Sequence, residues 1–208
     1  MEIEKSDFSQ KSDFLLFMRL IKSLALMALL LAGCSAPRLR GGVFSPPAQA
    51  ADFALPNVAN GEKVVLSSLR GNAVMIYFGY TTCPDICPMT LSTLARAKKM
   101  LGSDADKMKV IFVSVDPDRD TPDKLRDYVR AFDQNFIALR GSEDDLLPIL
   151  TDYQVVVKKT PQPGSAIGYS IDHTAFVFVV DPAGKLREVI STNATADDVA
   201  NDVRVLLR

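Results

Sequence analysis

Three apolar runs, broken only by Ser114, stand out along the chain, at 73–78, 110–115 and 175–180, each rich in β-branched and aromatic residues. Such runs suit strands covered on both faces, because a strand with one wet face alternates apolar and polar positions. Between the runs the period changes. Leu91, Leu94, Ala97 and Leu101 recur at spacings of three, three and four, laying one apolar stripe along a helix. Thr121-Pro122-Asp123 reads as a helix start, with threonine as N-cap, proline at the first helical position and aspartate favoured by the dipole. That helix runs on through Leu125, Tyr128, Val129 and Phe132. Ser142 with Asp145 opens a shorter helix through Leu150, and a last helix covers 195–207. Asn60-Gly61, between Phe53-Ala54-Leu55 and Lys63-Val64-Val65-Leu66, marks a hairpin. Asp181-Pro182-Ala183-Gly184 turns the third run back into a strand at 186–190. The order is hairpin, strand, helix, strand, helix, strand, helix, strand, then hairpin and helix, which predicts an α/β sheet.

The first run ends in Phe78-Gly79-Tyr80-Thr81-Thr82-Cys83-Pro84-Asp85-Ile86-Cys87-Pro88, two cysteines four apart at a strand–helix junction. That junction, with the element order, narrows the fold to a thioredoxin-like arrangement. Pro88 cannot donate to the carbonyl of Pro84, which predicts a loop across Cys83 and Cys87 and a helix beginning near Pro88. Cβ atoms at i and i+4 of a helix stand about 5–6 Å apart, wider than the ~3.5–4.5 Å of a disulfide. A loop instead lets the two sulfurs open around a metal or close into a disulfide. At a helix N-terminus the dipole lowers the pKa of either thiol. The flanking prolines, Thr81-Thr82 and the position at a strand's C-terminal end, where open α/β sheets bind ligands, favour function over a merely structural pair.

The only histidine, His173, opens the third run, directly after Asp172. In a thioredoxin-like sheet this segment passes beside the cysteine turn, at the place where thioredoxins carry a cis-proline and this chain has Asp172-His173-Thr174. Two thiolates and an imidazole suit Cu(I), Cu(II) or Zn(II) and disfavour hard, oxygen-seeking ions. Three ligands leave a position open, compatible with zinc catalysis or with handing a metal to a partner; the affinity order and an exported setting favour copper. Asp116-Pro117-Asp118-Arg119-Asp120-Thr121-Pro122 follows the second run at the same edge. There Asp116 and Asp118 are candidates to orient His173 or to form an acidic docking surface. Asp172 is the candidate partner for the far nitrogen of His173. Met89 is a candidate soft ligand, with core packing beside Leu91 the favoured reading.

The N-terminus reads as an export signal. Arg19 and Lys22 precede the apolar stretch 24–32, too short for the ~20 residues that span a bilayer, and Leu31-Ala32-Gly33-Cys34 resembles a lipobox. Residues 1–33 are thus a lipoprotein signal, with cleavage at Ala48-Gln49-Ala50 the less favoured alternative. Acidic residues ahead of Phe14 leave Met1 and Met18 both open as the start. Cys34, once acylated, removes one of three cysteines from the site and leaves one pair. Residues 34–51, rich in Pro, Gly and Ala, read as a flexible tether, and 52–208 as the folded domain. Export permits disulfides. With 48% hydrophobic and 24% charged residues and a net charge of -1, the chain is an ordinary globular protein whose electrostatics suggest no nucleic-acid partner.

These residues together resemble the Sco/SenC family of copper chaperones for cytochrome c oxidase assembly. The resemblance is carried by Tyr77 through Pro88, by Val115 through Pro122 and by Tyr169-Ser170-Ile171-Asp172-His173-Thr174, and it spans roughly 52–206. It implies that Cys83, Cys87 and His173 bind one copper ion, as Cu(I) or Cu(II). It also implies a thioredoxin-like fold with an N-terminal β-hairpin and an insertion before the histidine-bearing strand. The implied partner is oxidase subunit II; a periplasmic thiol reductant and a membrane lipid anchor complete the picture. Many members carry a transmembrane helix where this chain has a lipobox. Two alternatives stay open: a thiol–disulfide oxidoreductase acting through Cys83 and Cys87 on the oxidase copper-site cysteines, and a copper or redox sensor.

Overall fold

The computed structural model describes residues 38–165 and 167–208; the signal 1–33 and Cys34 lie outside the described residues. A six-stranded sheet runs β1-β10-β9-β4-β5-β6. Its centre is β4 (Ala73–Gly79), parallel to β5 (Met108–Ser114) in unbroken register from Ala73 opposite Met108 to Gly79 opposite Ser114. β6 (Ile137–Leu139) extends β5 in parallel, while β9 (Phe176–Val180) lies antiparallel to β4 and β10 (Lys185–Ser191) antiparallel to β9. All seven residues of β4 are buried although successive side chains point to opposite faces, so the sheet is covered on both sides. Tyr77, Phe78 and Phe112 are its largest fully buried side chains, and large apolar side chains at that depth contribute about 1.5–3 kcal/mol each.

Among the described residues four α-helices accompany the sheet: α1 (Ile86–Met100), α2 (Pro122–Arg130), α3 (Glu143–Asp152) and α4 (Ala196–Leu206). The expected N-caps at Thr121 and Ser142 hold, and Thr195 adds a third. Thr121 accepts from the Lys124 amide, Ser142 closes a capping box with Asp145, and Thr195 closes one with Asp198. α1 packs against α4. The Asn60-Gly61 hairpin forms as β2 (Ala54–Pro56) paired with β3 (Lys63–Val65). The fold is the expected α/β, thioredoxin-like arrangement with its N-terminal hairpin and insertion.

Two features differ from the expectation. The stretch read as a tether is folded from Arg38 onward. Gly42–Gln49 is strand β1, pairing with β10 from Gly42 opposite Val189 to Gln49 opposite Lys185. Without it, β10 would expose a row of unpaired amides and carbonyls at the sheet edge. The prolines that suggested a linker, Pro46 and Pro47, fall in the register shift between Val43 and Ala48, and bulges on edge strands are where proline is tolerated. Second, His173 does not begin β9. It ends β8 (Tyr169–His173), which pairs only with β7 (Val157–Pro161) in a hairpin outside the main sheet. This hairpin is the insertion, and it carries the histidine itself.

Candidate metal centre

The site forms where the C-terminal end of β4, the start of α1 and the end of β8 meet. α1 begins at Ile86, two residues earlier than Pro88 suggested, so Cys87 lies in its first turn and Cys83 in the loop before it. Pro88 costs nothing there, because amides of a first helical turn lack intrahelical partners anyway. The freed Cys87 amide instead donates to Cys83 Sγ at 3.4 Å. Cys87 is fully buried, Cys83 is half-buried, and both are free thiols. Gly79 makes room for them: a Cβ at that position would stand 2.8 Å from the Phe112 ring and 3.0 Å from Cys87 Sγ.

His173 reaches across from the hairpin with Nε2 3.7 Å from Cys87 Sγ. Its Nδ1 lies 3.1 Å from the Thr174 carbonyl. A carbonyl can only accept, so Nδ1 donates to it and Nε2 is the ring nitrogen that faces the sulfurs. Tyr77 and Tyr80 hold the ring by edge contacts, with centroids at 6.3 and 5.9 Å. Metal–sulfur and metal–nitrogen bonds of about 2.3 and 2.0 Å, opened to a trigonal angle, would separate sulfur and nitrogen by about 3.7 Å. The Cys87–His173 edge is thus at ligand spacing, although among the described residues no three such donors are already drawn into a closed cage.

The two thiols are electrostatically unequal. Cys83 is held well below the ordinary thiol range, chiefly by the Cys87 side chain donating to it, with His173 and the amides of Cys87 and Asp85 adding to this against partial burial. Cys87 is pushed up by the same shared proton and by its burial. The pair therefore keeps its first negative charge on Cys83, the more accessible sulfur. Tyr77 donates its hydroxyl to Cys87 Sγ at 3.6 Å, and burial raises its own pKa.

None of the aspartates orients His173. Asp172 is exposed, with Thr160 Oγ1 at 3.5 Å, because alternation along β8 turns it away from the side His173 faces. Thr174 serves the role foreseen for it. Asp116 is buried and accepts from Arg119 Nε at 2.5 Å and from the Tyr169 hydroxyl at 2.6 Å rather than orienting His173. Asp118 is exposed and paired with Lys159 at 2.8 Å, which lowers its pKa. Met89 is half exposed and does not pack in the core beside Leu91.

Sequence reasoning missed the residues that fasten these parts together. Asp120, fully buried, accepts from the Thr81 amide at 3.2 Å, the Thr81 hydroxyl at 2.5 Å and the Ser114 hydroxyl at 2.6 Å, pinning the cysteine turn to the end of β5. Arg119 stacks on Tyr169, 3.6 Å from its centroid, and donates to the carbonyls of Ile167 and Tyr169, tying the hairpin to the Asp116 loop. Tyr80 donates to the Ile171 carbonyl at 3.1 Å. The available signal was the density of polar residues at 116–121, directly after a buried strand.

Fold and donor set together define a thioredoxin-like domain whose cysteine turn faces a histidine, with the chemistry of a soft-metal or dithiol site. Residues 45–208 match the SCO1/SenC family model, and the chain belongs to that family. It is 31% identical to an SCO2-like protein of Rickettsia prowazekii over 140 residues, 67% of this chain and 68% of that one. Among solved structures it is similar to Bradyrhizobium japonicum ScoI with copper bound (36% identity, TM-score 0.69, covering 77% of this chain and all of the other). It is also similar to BsSco, a member of the Sco family of cytochrome c oxidase assembly proteins described with a disulfide switch (26% identity, TM-score 0.62, covering 80% and 98%).

Proposed function

We propose that this protein is a membrane-tethered copper metallochaperone that holds one copper ion through Cys83, Cys87 and His173 and delivers it to the copper site of cytochrome c oxidase subunit II. The observation that carries the reading is the 3.7 Å approach of His173 Nε2 to Cys87 Sγ, with the ring oriented by the contact of Nδ1 with the Thr174 carbonyl. Copper in a relative's structure and oxidase assembly in a relative's description support it. Cys83 supplies the third donor by closing on the Cys87–His173 edge. Two thiolates satisfy Cu(I), and a three-coordinate ion keeps an open side for the acceptor's ligands. Cys34 is the lipid anchor after removal of 1–33, and the domain faces the periplasm or cell exterior. Among the described residues no helix is long and apolar enough to cross a membrane.

A second reading rests on the asymmetry of the thiols. As an oxidoreductase, Cys83 thiolate attacks a partner disulfide and releases one partner thiolate. Cys87, deprotonated, then displaces the second. Two electrons pass to the partner, leaving a Cys83–Cys87 disulfide that a periplasmic thiol reductant must reopen. Copper stoichiometry of the full chain separates the readings. One tightly held copper per chain, lost in Cys83→Ser and Cys87→Ser and weakened in His173→Ala, is expected of the chaperone. No copper retention by the reduced protein, with rapid dithiol exchange that His173→Ala leaves intact, would make the reductase the function.

A further inference from the structure

Between β10 and α4 two acidic side chains are buried side by side. Glu188 of β10 is 0% exposed and Asp202 of α4 is 1% exposed. Consecutive backbone amides of the segment entering β1 hold them: Arg40 N–H donates to Asp202 Oδ1 at 3.0 Å and Gly41 N–H to Glu188 Oε2 at 3.1 Å. Asn201 Nδ2 donates to Asp202 Oδ1 at 2.9 Å and to the Arg38 carbonyl at 3.0 Å, closing the same segment onto α4. Each acid's other oxygen, Glu188 Oε1 and Asp202 Oδ2, is buried without a donor. Accepting from adjacent amides, the two carboxyl groups lie side by side, and each biases the other's proton. A buried acceptor pair with no donor between them is satisfied by one proton, and two ionised carboxylates there would repel at low dielectric.

We propose that Glu188 and Asp202 share one proton and that this proton is a pH-sensitive latch fastening residues 38–42, the chain's entry into the folded domain, to β10 and α4. Gly41 belongs to the latch: a Cβ there would stand 2.7 Å from Glu188 Oε2 and 2.8 Å from the Val189 carbonyl, so only glycine lets the backbone approach the acids.

The surroundings set where the latch opens. From the entry segment, the Arg40 guanidinium pairs with Asp198 of α4 at 2.8 Å and draws Asp202 down. On β10 itself, Arg187 pairs with Asp181 at 3.0 Å and draws Glu188 down. β9 presents Val179 opposite Glu188 and β1 presents Val43, neither charged. Burial, with Asp202 as its neighbour, outweighs the cations and raises Glu188 to about 7; burial also raises Asp202. A carboxyl raised in the docked state binds its proton more tightly there. Docking is thus fully favoured below the ordinary carboxylate range and is lost as the pH climbs through about 7, with the proton passing to solvent.

The test is a pH titration of the full chain by carboxyl NMR of labelled glutamate, alongside amide exchange of residues 38–43 corrected for the intrinsic rate. Glu188 is expected to titrate near 7, and protection of the segment to fall about tenfold between pH 6 and pH 8, since one pH unit above the midpoint leaves about one-eleventh of the pair protonated. Glu188→Gln should make that protection independent of pH while copper stoichiometry is unchanged. If Glu188→Gln does not fold, Asp202→Asn serves instead and should return Glu188 toward the ordinary carboxylate range. A Glu188 midpoint below about 5, or a pH profile shared by wild type and the foldable variant, overturns the latch.

Discussion

Asp118 and Asp120 differ by two positions in sequence and belong to opposite environments, so Asp120→Ala beside Asp118→Ala is a direct test of how the site is held. Asp120 is fully buried and takes both the amide and hydroxyl of Thr81 and the hydroxyl of Ser114. Removing the carboxylate strands a backbone N–H and two hydroxyls, and each buried unsatisfied donor costs about 1–3 kcal/mol. The hydroxyls recover part of this by rotating, which leaves an expected loss of about 3–5 kcal/mol, a large share of the 5–15 kcal/mol by which folded domains are stable. Because Thr81 sits two residues before Cys83, the same variant should weaken Cu(I) binding by about 10–100-fold, the usual effect of losing an outer partner of a ligand. Asp118 is exposed and meets only Lys159, so its alanine variant should match wild type in both measurements. The assays are denaturant unfolding of the full chain and competition for Cu(I) with a chromophoric chelator. An Asp120→Ala protein within about 1 kcal/mol of wild type would falsify the claim that this carboxylate fastens the turn.

Three further outcomes are expected. Cys83 should alkylate with iodoacetamide at a rate nearly flat from pH 8 to pH 5, because its pKa is lowered, whereas an ordinary thiol slows about tenfold per unit below about 8.5; mass spectrometry of the peptides should find Cys87 spared, and equal labelling would contradict the assigned asymmetry. His173→Ala should lose more Cu(I) affinity than an outer-partner variant such as Asp120→Ala, yet retain dithiol exchange; unchanged affinity by chelator competition would remove the imidazole from the ligand set. Gly79→Ala should destabilise by about 1–3 kcal/mol through overpacking against Phe112 and the Cys87 sulfur, read as a shifted unfolding midpoint; an unshifted midpoint would mean the turn adjusts freely.

What the chain revealed in advance was governed by local chemistry. β4, β5 and β9 were legible because apolar runs identify strands buried on both faces, and α2 and α3 because Thr121 and Ser142 are caps whose partners lie three residues away. β1 was hidden because Pro46 and Pro47 look like linker and only the unpaired edge of β10 makes a strand of them. Among the acids, nothing local separates buried Asp116 and Asp120 from exposed Asp118 and Asp172; Asp116 is covered by the β7–β8 hairpin and Asp120 by the cysteine turn, both distant in sequence. Arg119 with Tyr169, and Glu188 with Asp202, meet across 50 and 14 positions, beyond any local pattern. The start of α1 was misjudged by treating Pro88 as an N1 residue when the first turn tolerates proline further in.

The hairpin that carries His173 has a consequence for release. The two sulfurs belong to a turn welded to the central sheet, whereas the imidazole stands on an arm outside it. That arm is fastened by Arg119, Tyr80 and Lys159 side chains. If the proposed three donors hold an ion, its denticity can fall from three to two by swinging the arm, with the core left intact. Under that proposal an incoming ligand would need to outcompete one nitrogen, not the whole donor set, and the exchange would proceed one bond at a time.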